Sequence, residues 1–138
     1  MREWTVAATV QNIPVITEAV DRELETLDCP KHALRQINVA LDELLSNIAN
    51  YAYTPDTGDM TIRMDFDEPS GVVSLTFIDR GVAYNPLEHE DPDVTLTAED
   101  RPIGGLGILM VKKKMDDMEY RREGDQNLLT ISKKIREE

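Results

Sequence analysis

Within ALDELLSNIANYAY, residues 40 to 53, three polar residues stand at helical spacing: Glu43, Asn47 and Asn50. At about 100° per residue they share one narrow sector of a helix, opposite a stripe of leucine and isoleucine. Glu43 and Asn47 are i, i+4 neighbours, so their side chains can converge on one bound group. A carboxylate can take a proton from a hydroxyl. A neutral amide oxygen can ligate a hard cation such as Mg²⁺. The plain structural alternative is a solvated helix face.

Two further stretches could do chemistry. In FIDRGVAYNP, residues 77 to 86, Asp79 closes a strand and Gly81 follows two residues later. An aspartate there can accept a hydrogen bond from a buried amine. Adenine offers such an amine, whereas guanine presents a carbonyl at the same place. The alternative is a capped turn, because Asp, Gly, Asn and Pro all form turns. In IGGLGILMVKKKMDD, Gly104, Gly105 and Gly107 let backbone amides approach a ligand and lead into a helix. A helix N-terminus carries about half a positive charge and suits anions. The alternative is a tight loop-to-helix turn. No Gly-Lys-Ser/Thr follows, so this is not a P-loop. Met110 stands where a dinucleotide fingerprint needs its third glycine.

The elements that must position these residues follow from periodicity. Trp4, Val6, Ala8 and Val10 alternate as a first strand. Asn12 as N-cap and Pro14 in the first turn open a helix with the stripe Ile13, Ile16, Val20, Leu24 and Leu27. A break at Asp28-Cys29-Pro30 begins a second helix running to about Tyr51, with the stripe Leu34, Ile37, Leu41, Leu44 and Ile48. Met60 to Phe66 and Val73 to Phe77 alternate as strands around the turn DEPSG. After the Gly-rich helix, a last hairpin joins Met118–Arg122 to Leu128–Ile135. The strands are apolar on one face only, which excludes a sheet covered on both sides. The expected fold class is α+β: a two-layer sandwich of a mostly antiparallel mixed sheet with helices on one face.

The 138 residues point to one domain, 1–138. With 15 Lys plus Arg against 27 Asp plus Glu, the net charge of −12 argues against nucleic acid and anionic membranes as partners. Cys29 is the only cysteine, so no internal disulfide forms, which fits a reducing cytoplasm. The opening MREWTVAATV has no long apolar run, so neither a signal peptide nor a spanning helix is expected there. Met110, Met115 and Met118 read as core filler. His32 and His89 lack matching ligands for zinc.

The order and spacing of the three stretches resemble the Bergerat-fold, histidine-kinase-like ATPase superfamily. ALDELLSNIANYAY is similar to its N box, DRGVAYNP to its first glycine box, and GGLGILMVKKKMDDMEYRR to its second. Size and the YNP ending resemble the stand-alone anti-sigma factor serine/threonine kinases. The resemblance implies ATP and Mg²⁺ as cofactors, with Glu43 as general base and Asn47 as Mg²⁺ ligand. It implies that Asp79 binds the adenine amine, with Gly81 beside it. Asn50, Tyr84, Gly104, Gly105, Leu106 and Gly107 complete the implied nucleotide site. Arg101 is placed to reach the terminal phosphate if the stretch from about 87 to 103 closes as a lid. Many relatives carry histidine where this chain has Tyr51. The carboxylates at 43 and 79 and the amides near 105 should then line one shared cavity.

The resemblance further implies a STAS-type antagonist protein as substrate, a sigma factor as second partner, and a possible homodimer. The rival reading is an ATP- or ADP-binding partner-switching module with little transfer. The acidic residues of the lid, Glu88, Glu90, Asp91, Asp93, Glu99 and Asp100, are expected to face water or a protein partner. At ~0.15 M salt the Debye length is about 8 Å, so local groups outweigh the net charge where phosphate binds.

Overall fold

A computed structural model describes residues 2–53, 56–88 and 105–136. Five strands form one sheet: β1 (Arg2–Ala7), β2 (Asp59–Asp67), β3 (Val72–Asp79), β4 (Asp117–Glu123) and β5 (Gln126–Lys134). Their order is β1-β2-β3-β5-β4. The α+β class and mostly antiparallel sheet expected from sequence are present, and among the described residues all four ladders are antiparallel.

The period of two sorts the side chains. Trp4, Ile62, Phe77, Leu129 and Tyr120 stand in register and face the helices. On the other face hydroxyls meet across the strands, Thr5 with Thr61 at 2.9 Å and Thr76 with Thr130 at 3.0 Å. These polar rows are why only one face collects helices.

Three helices cover the apolar face: α1 (Ile13–Thr26), α2 (Lys31–Asn47) and α3 (Gly105–Lys114). In α1 the predicted stripe is buried at Ile13, Ile16, Val20 and Leu24. In α2 it is buried at Ile37, Leu41 and Leu44, joined by Ala33, Ala40 and Leu45. Ile108, Val111 and Met115 anchor α3. Met110 differs from the reading as core filler, being 42% exposed. The break after α1 has a local cause: Asp28 adopts a left-handed φ of 56°, a conformation Asp tolerates better than most residues. The Cys29 N–H then closes back on the Leu24 carbonyl at 3.1 Å.

Three boundaries differ from the sequence reading. β1 stops at Ala7, and Val10–Asn12 form a 3-10 turn with Val10 exposed. Asn12 does precede α1, but its side chain donates to the Ala7 carbonyl at 2.9 Å and does not cap the helix. Most consequential, α2 does not continue as a regular α-helix to Tyr51. It widens into a π-turn over Ile48–Ala52. Such turns often sit at functional sites.

Candidate functional site

The site is built where the inward rows of β3 and β5 reach their ends. Val73, Leu75 and Phe77 face the helices, and Asp79 is the next residue in that row. Ile131 and Leu129 do the same on β5, and Asn127 follows. Asp79 and Asn127 are register partners, each 7% exposed. They are the only buried polar or charged residues among those described. Buried polar groups require partners, and these have them. Asn127 Nδ2 donates to Asp79 Oδ1 at 2.9 Å and to the Val82 carbonyl at 2.8 Å. Its Oδ1 accepts from the Tyr120 hydroxyl and from the Tyr84 N–H at 3.3 Å.

The loop after β3 is held from both sides. The Gly81 N–H donates to Asp79 Oδ1 at 2.8 Å, and the Gly81 carbonyl accepts from Arg122 at 3.0 Å. The Val82 N–H bonds the Ala52 carbonyl at 3.0 Å, so the loop docks on the π-turn. A Cβ at Gly81 would overlap that same carbonyl. The clash is backbone against side chain and cannot be relieved by a rotamer change. Gly81→Ala is therefore expected to destabilise the fold by about 1–3 kcal/mol, the usual cost of overpacking. Urea denaturation checks this, as a lower midpoint with an unchanged slope.

Between α2, the sheet and this loop lies a cavity of about 410 Å³. Its walls are largely apolar, with Leu44, Ile48, Phe77 and Leu129 opposite the loop. Asn47, Asp79 and Asn127 supply polar atoms, and Tyr51, Tyr84 and Tyr120 supply rings. A mostly apolar slot with a few placed polar groups is the usual form of a small-molecule site. Such a lining suits a ring that buries its faces against apolar side chains and offers a donor to the aspartate.

Glu43 sits one helical turn before Asn47 and opens elsewhere. It lines a neighbouring cleft of about 350 Å³ between α2 and α3, with Asp42, Gly107 and Met110. A Cβ at Gly107 would overlap the Glu43 carboxyl, so a larger residue there would push that side chain aside. Burial pushes the Glu43 carboxyl up from its ordinary 4.5, the charge of Asp42 adds to this, and a hydrogen bond with Asn47 opposes it. Burial also raises the Tyr84 phenol, and the charge of Glu43 raises it further. Tyr84 thus lines the cavity while feeling the carboxylate of the cleft.

Of the residues singled out from sequence, Asn47, Asp79 and Tyr84 meet on one cavity. Gly81 braces its rim, and Glu43 pairs with Gly107 in the adjoining cleft. The expected single cavity is therefore two adjoining spaces, joined through the Glu43–Asn47 hydrogen bond. Asn50 is exposed and lies outside both, because the π-turn carries it off the line through Glu43 and Asn47. Gly105 and Leu106 open α3. Arg101, Gly104 and most of the expected lid, 89 to 103, lie outside the described residues. Asn127, Tyr120 and Arg122 were not anticipated. The available signal was Asn127 occupying an inward slot in an otherwise apolar row.

The family model described as the histidine kinase-like ATPase domain matches residues 6–133. The chain belongs to this family. The serine/threonine-protein kinase BtrW of Bordetella bronchiseptica is 29% identical over 96 residues, covering 70% of this chain and 67% of that protein. The serine-protein kinase RsbW of Bacillus mycoides is 26% identical over 100 residues, covering 70% of this chain and 61% of that protein. Among solved structures, the RsbU and RsbW domains of a Mycobacterium tuberculosis protein superpose with a TM-score of 0.64 at 13% identity. That match covers 98% of this chain and 33% of the other. The histidine kinase domain of an Erythrobacter litoralis blue-light activated histidine kinase gives 0.57 at 16% identity, covering 77% and 46%. These structures share the fold. Among the described residues no helix is long and apolar enough to cross a membrane.

Proposed function

We propose that this protein is an ATP-dependent serine/threonine protein kinase of the anti-sigma factor type. The observation that carries the reading is the convergence of Asn47 and Asp79, from α2 and β3, on one apolar-walled cavity. Asp79 accepts the adenine 6-amino group, while Phe77 and Leu129 bury the ring. The amides of Gly105, Leu106 and Gly107 at the start of α3 face the phosphates, helped by the helix dipole. The family resemblance adds Gly104, and Arg101 from the lid, to the phosphate-binding set. Tyr84 covers the nucleotide from the β3 loop.

The residues present fit Mg²⁺. Among those described, no group of three His, Cys, Asp or Glu could hold a metal. Two side-chain amides line the cavity, and the Asn127 oxygen is already taken by Tyr84 and Tyr120, which leaves Asn47 as the ligand. Mg²⁺ usually takes one or two protein ligands and fills its shell with phosphate and water oxygens. When bound it neutralises charge on the transferring phosphoryl group. Glu43 is the base: it accepts the proton of a seryl or threonyl hydroxyl as that oxygen attacks the γ-phosphorus, the bond from that phosphorus to the β,γ-bridging oxygen breaks, and ADP leaves. Asn47 orients the Glu43 carboxyl through their hydrogen bond.

The substrate is a STAS-type antagonist and a sigma factor is the second partner, on the strength of the family resemblance and the kinase names of the relatives. The chain works in the cytoplasm. One observation favours a second reading, a nucleotide-binding switch with little transfer: Glu43 opens into its own cleft. Two measurements separate these readings. Calorimetric titration with ATP should show one-to-one binding that needs Mg²⁺, and Asn47→Ala should lose most of the metal dependence. Labelled ATP with a STAS-type acceptor should give phosphoprotein; binding without label transfer would support the switch.

A further inference from the structure

Asn127 lies in the cavity wall, yet it has nothing left to offer a ligand. The direction of its amide is fixed by backbone partners. The Tyr84 N–H can only donate, so it must face Oδ1. The Val82 carbonyl can only accept, so it must face Nδ2. The second Nδ2 hydrogen goes to Asp79 Oδ1, and the Tyr120 hydroxyl fills the other acceptor position of Asn127. All the donors and acceptors of a carboxamide are then in use.

The consequence falls on Asp79. Both hydrogen bonds it accepts among the described residues, from Gly81 N–H and from Asn127, arrive on Oδ1. Two donors on one oxygen fix the plane of the carboxylate, whose terminal torsion is otherwise broad. Oδ2 is left with its lone pairs for the cavity. We propose that Asn127 is the positioning residue that sets base selectivity, holding Asp79 Oδ1 so that Oδ2 meets the 6-amino group of a purine. Tyr120 supports it from β4. This rests on the adenine reading above.

The test compares ATP with the 5′-triphosphate of purine riboside, which carries hydrogen in place of the amine. Affinities are measured with Mg²⁺ for the wild type, Asn127→Ala, Tyr120→Phe and Asp79→Ala. The wild type should prefer ATP by about tenfold or more, the value of a hydrogen bond to a charged group. Asn127→Ala should lose most of that preference through weaker ATP binding, with affinity for the amine-free nucleotide near wild type. Tyr120→Phe keeps its ring and should show a smaller drop in the same ratio, so the test survives if Asn127→Ala does not fold. An equal loss for both nucleotides would mean Asn127 merely supports the fold, and would overturn the inference. A preference erased by Asp79→Ala but untouched by Asn127→Ala and Tyr120→Phe would leave the adenine site standing and remove Asn127 from it. A wild-type protein that binds neither nucleotide would overturn the adenine reading and this inference together.

Discussion

Asp79→Ala will reduce ATP affinity by about a hundredfold, the upper range for losing a hydrogen bond to a charged group. The substitution does more than remove one contact. Asp79 is buried and accepts from both Gly81 N–H and Asn127. Without it those two donors lose their partner, and the loop after β3 loses one of its ties. Asp79→Asn makes the chemistry plainer. It keeps the volume but presents an amide whose donor side faces either the existing donors or the adenine amine. It should bind ATP almost as poorly while unfolding near the wild-type midpoint. Calorimetry with Mg-ATP, beside urea denaturation of the same samples, separates lost recognition from lost stability. Wild-type affinity in both variants would remove Asp79 from the adenine site.

Glu43→Gln should leave ATP binding within about twofold and slow phosphoryl transfer by about 10²–10⁴-fold, the usual contribution of a positioned base. The carboxyl lines the α2–α3 cleft and not the cavity, which is why binding should survive. Its raised pKa sets the pH profile of the wild type. A base must be ionised to act, so transfer should rise with pH through the Glu43 titration. The acid limb should therefore lie above the ordinary 4.5. Removing the neighbouring charge with Asp42→Asn should move that limb to lower pH.

Stability responds with the opposite sense. A folded-state pKa above the unfolded one means that folding favours the protonated carboxyl. That contribution is complete below the unfolded pKa and disappears as pH rises through the folded one. At neutral pH the uncharged glutamine should therefore cost no stability, and a small rise in melting temperature is expected. Single-turnover assays across pH, with melting curves on the same variants, check both signs. A transfer rate unchanged in Glu43→Gln would leave the nucleotide switch as the better reading.

The sheet and helices were legible in the sequence wherever burial is one-sided and periodic. Leu24, Ile37 and Phe77 sit where their periods put them, because each packs on one face of one element. Asp79 was legible for the same reason, as a charged residue continuing the row Val73, Leu75, Phe77. The π-turn was not. The spacing in ELLSNIANYA cannot reveal a local change of pitch, since the helix widens where the Ala52 carbonyl meets Val82 N–H. That contact joins residues thirty apart in the chain. Asn127 was hidden for a related reason: its partners come from β3, its loop and β4, and no local pattern brings them together. The separation of Glu43 from the cavity depends on how α3 crosses α2 at Gly107, a matter of packing and not of spacing. Arg101 and the acidic lid stay as the sequence left them.

The most direct test of the central claim is a crystal structure with Mg²⁺ and a non-hydrolysable ATP analogue. The base should lie between α2 and the β3 loop, its 6-amino nitrogen within hydrogen-bonding distance of Asp79, with Asn47 toward the metal. An analogue bound only in the cleft beside Glu43, or a base turned so that Asp79 touches no part of it, would contradict the account.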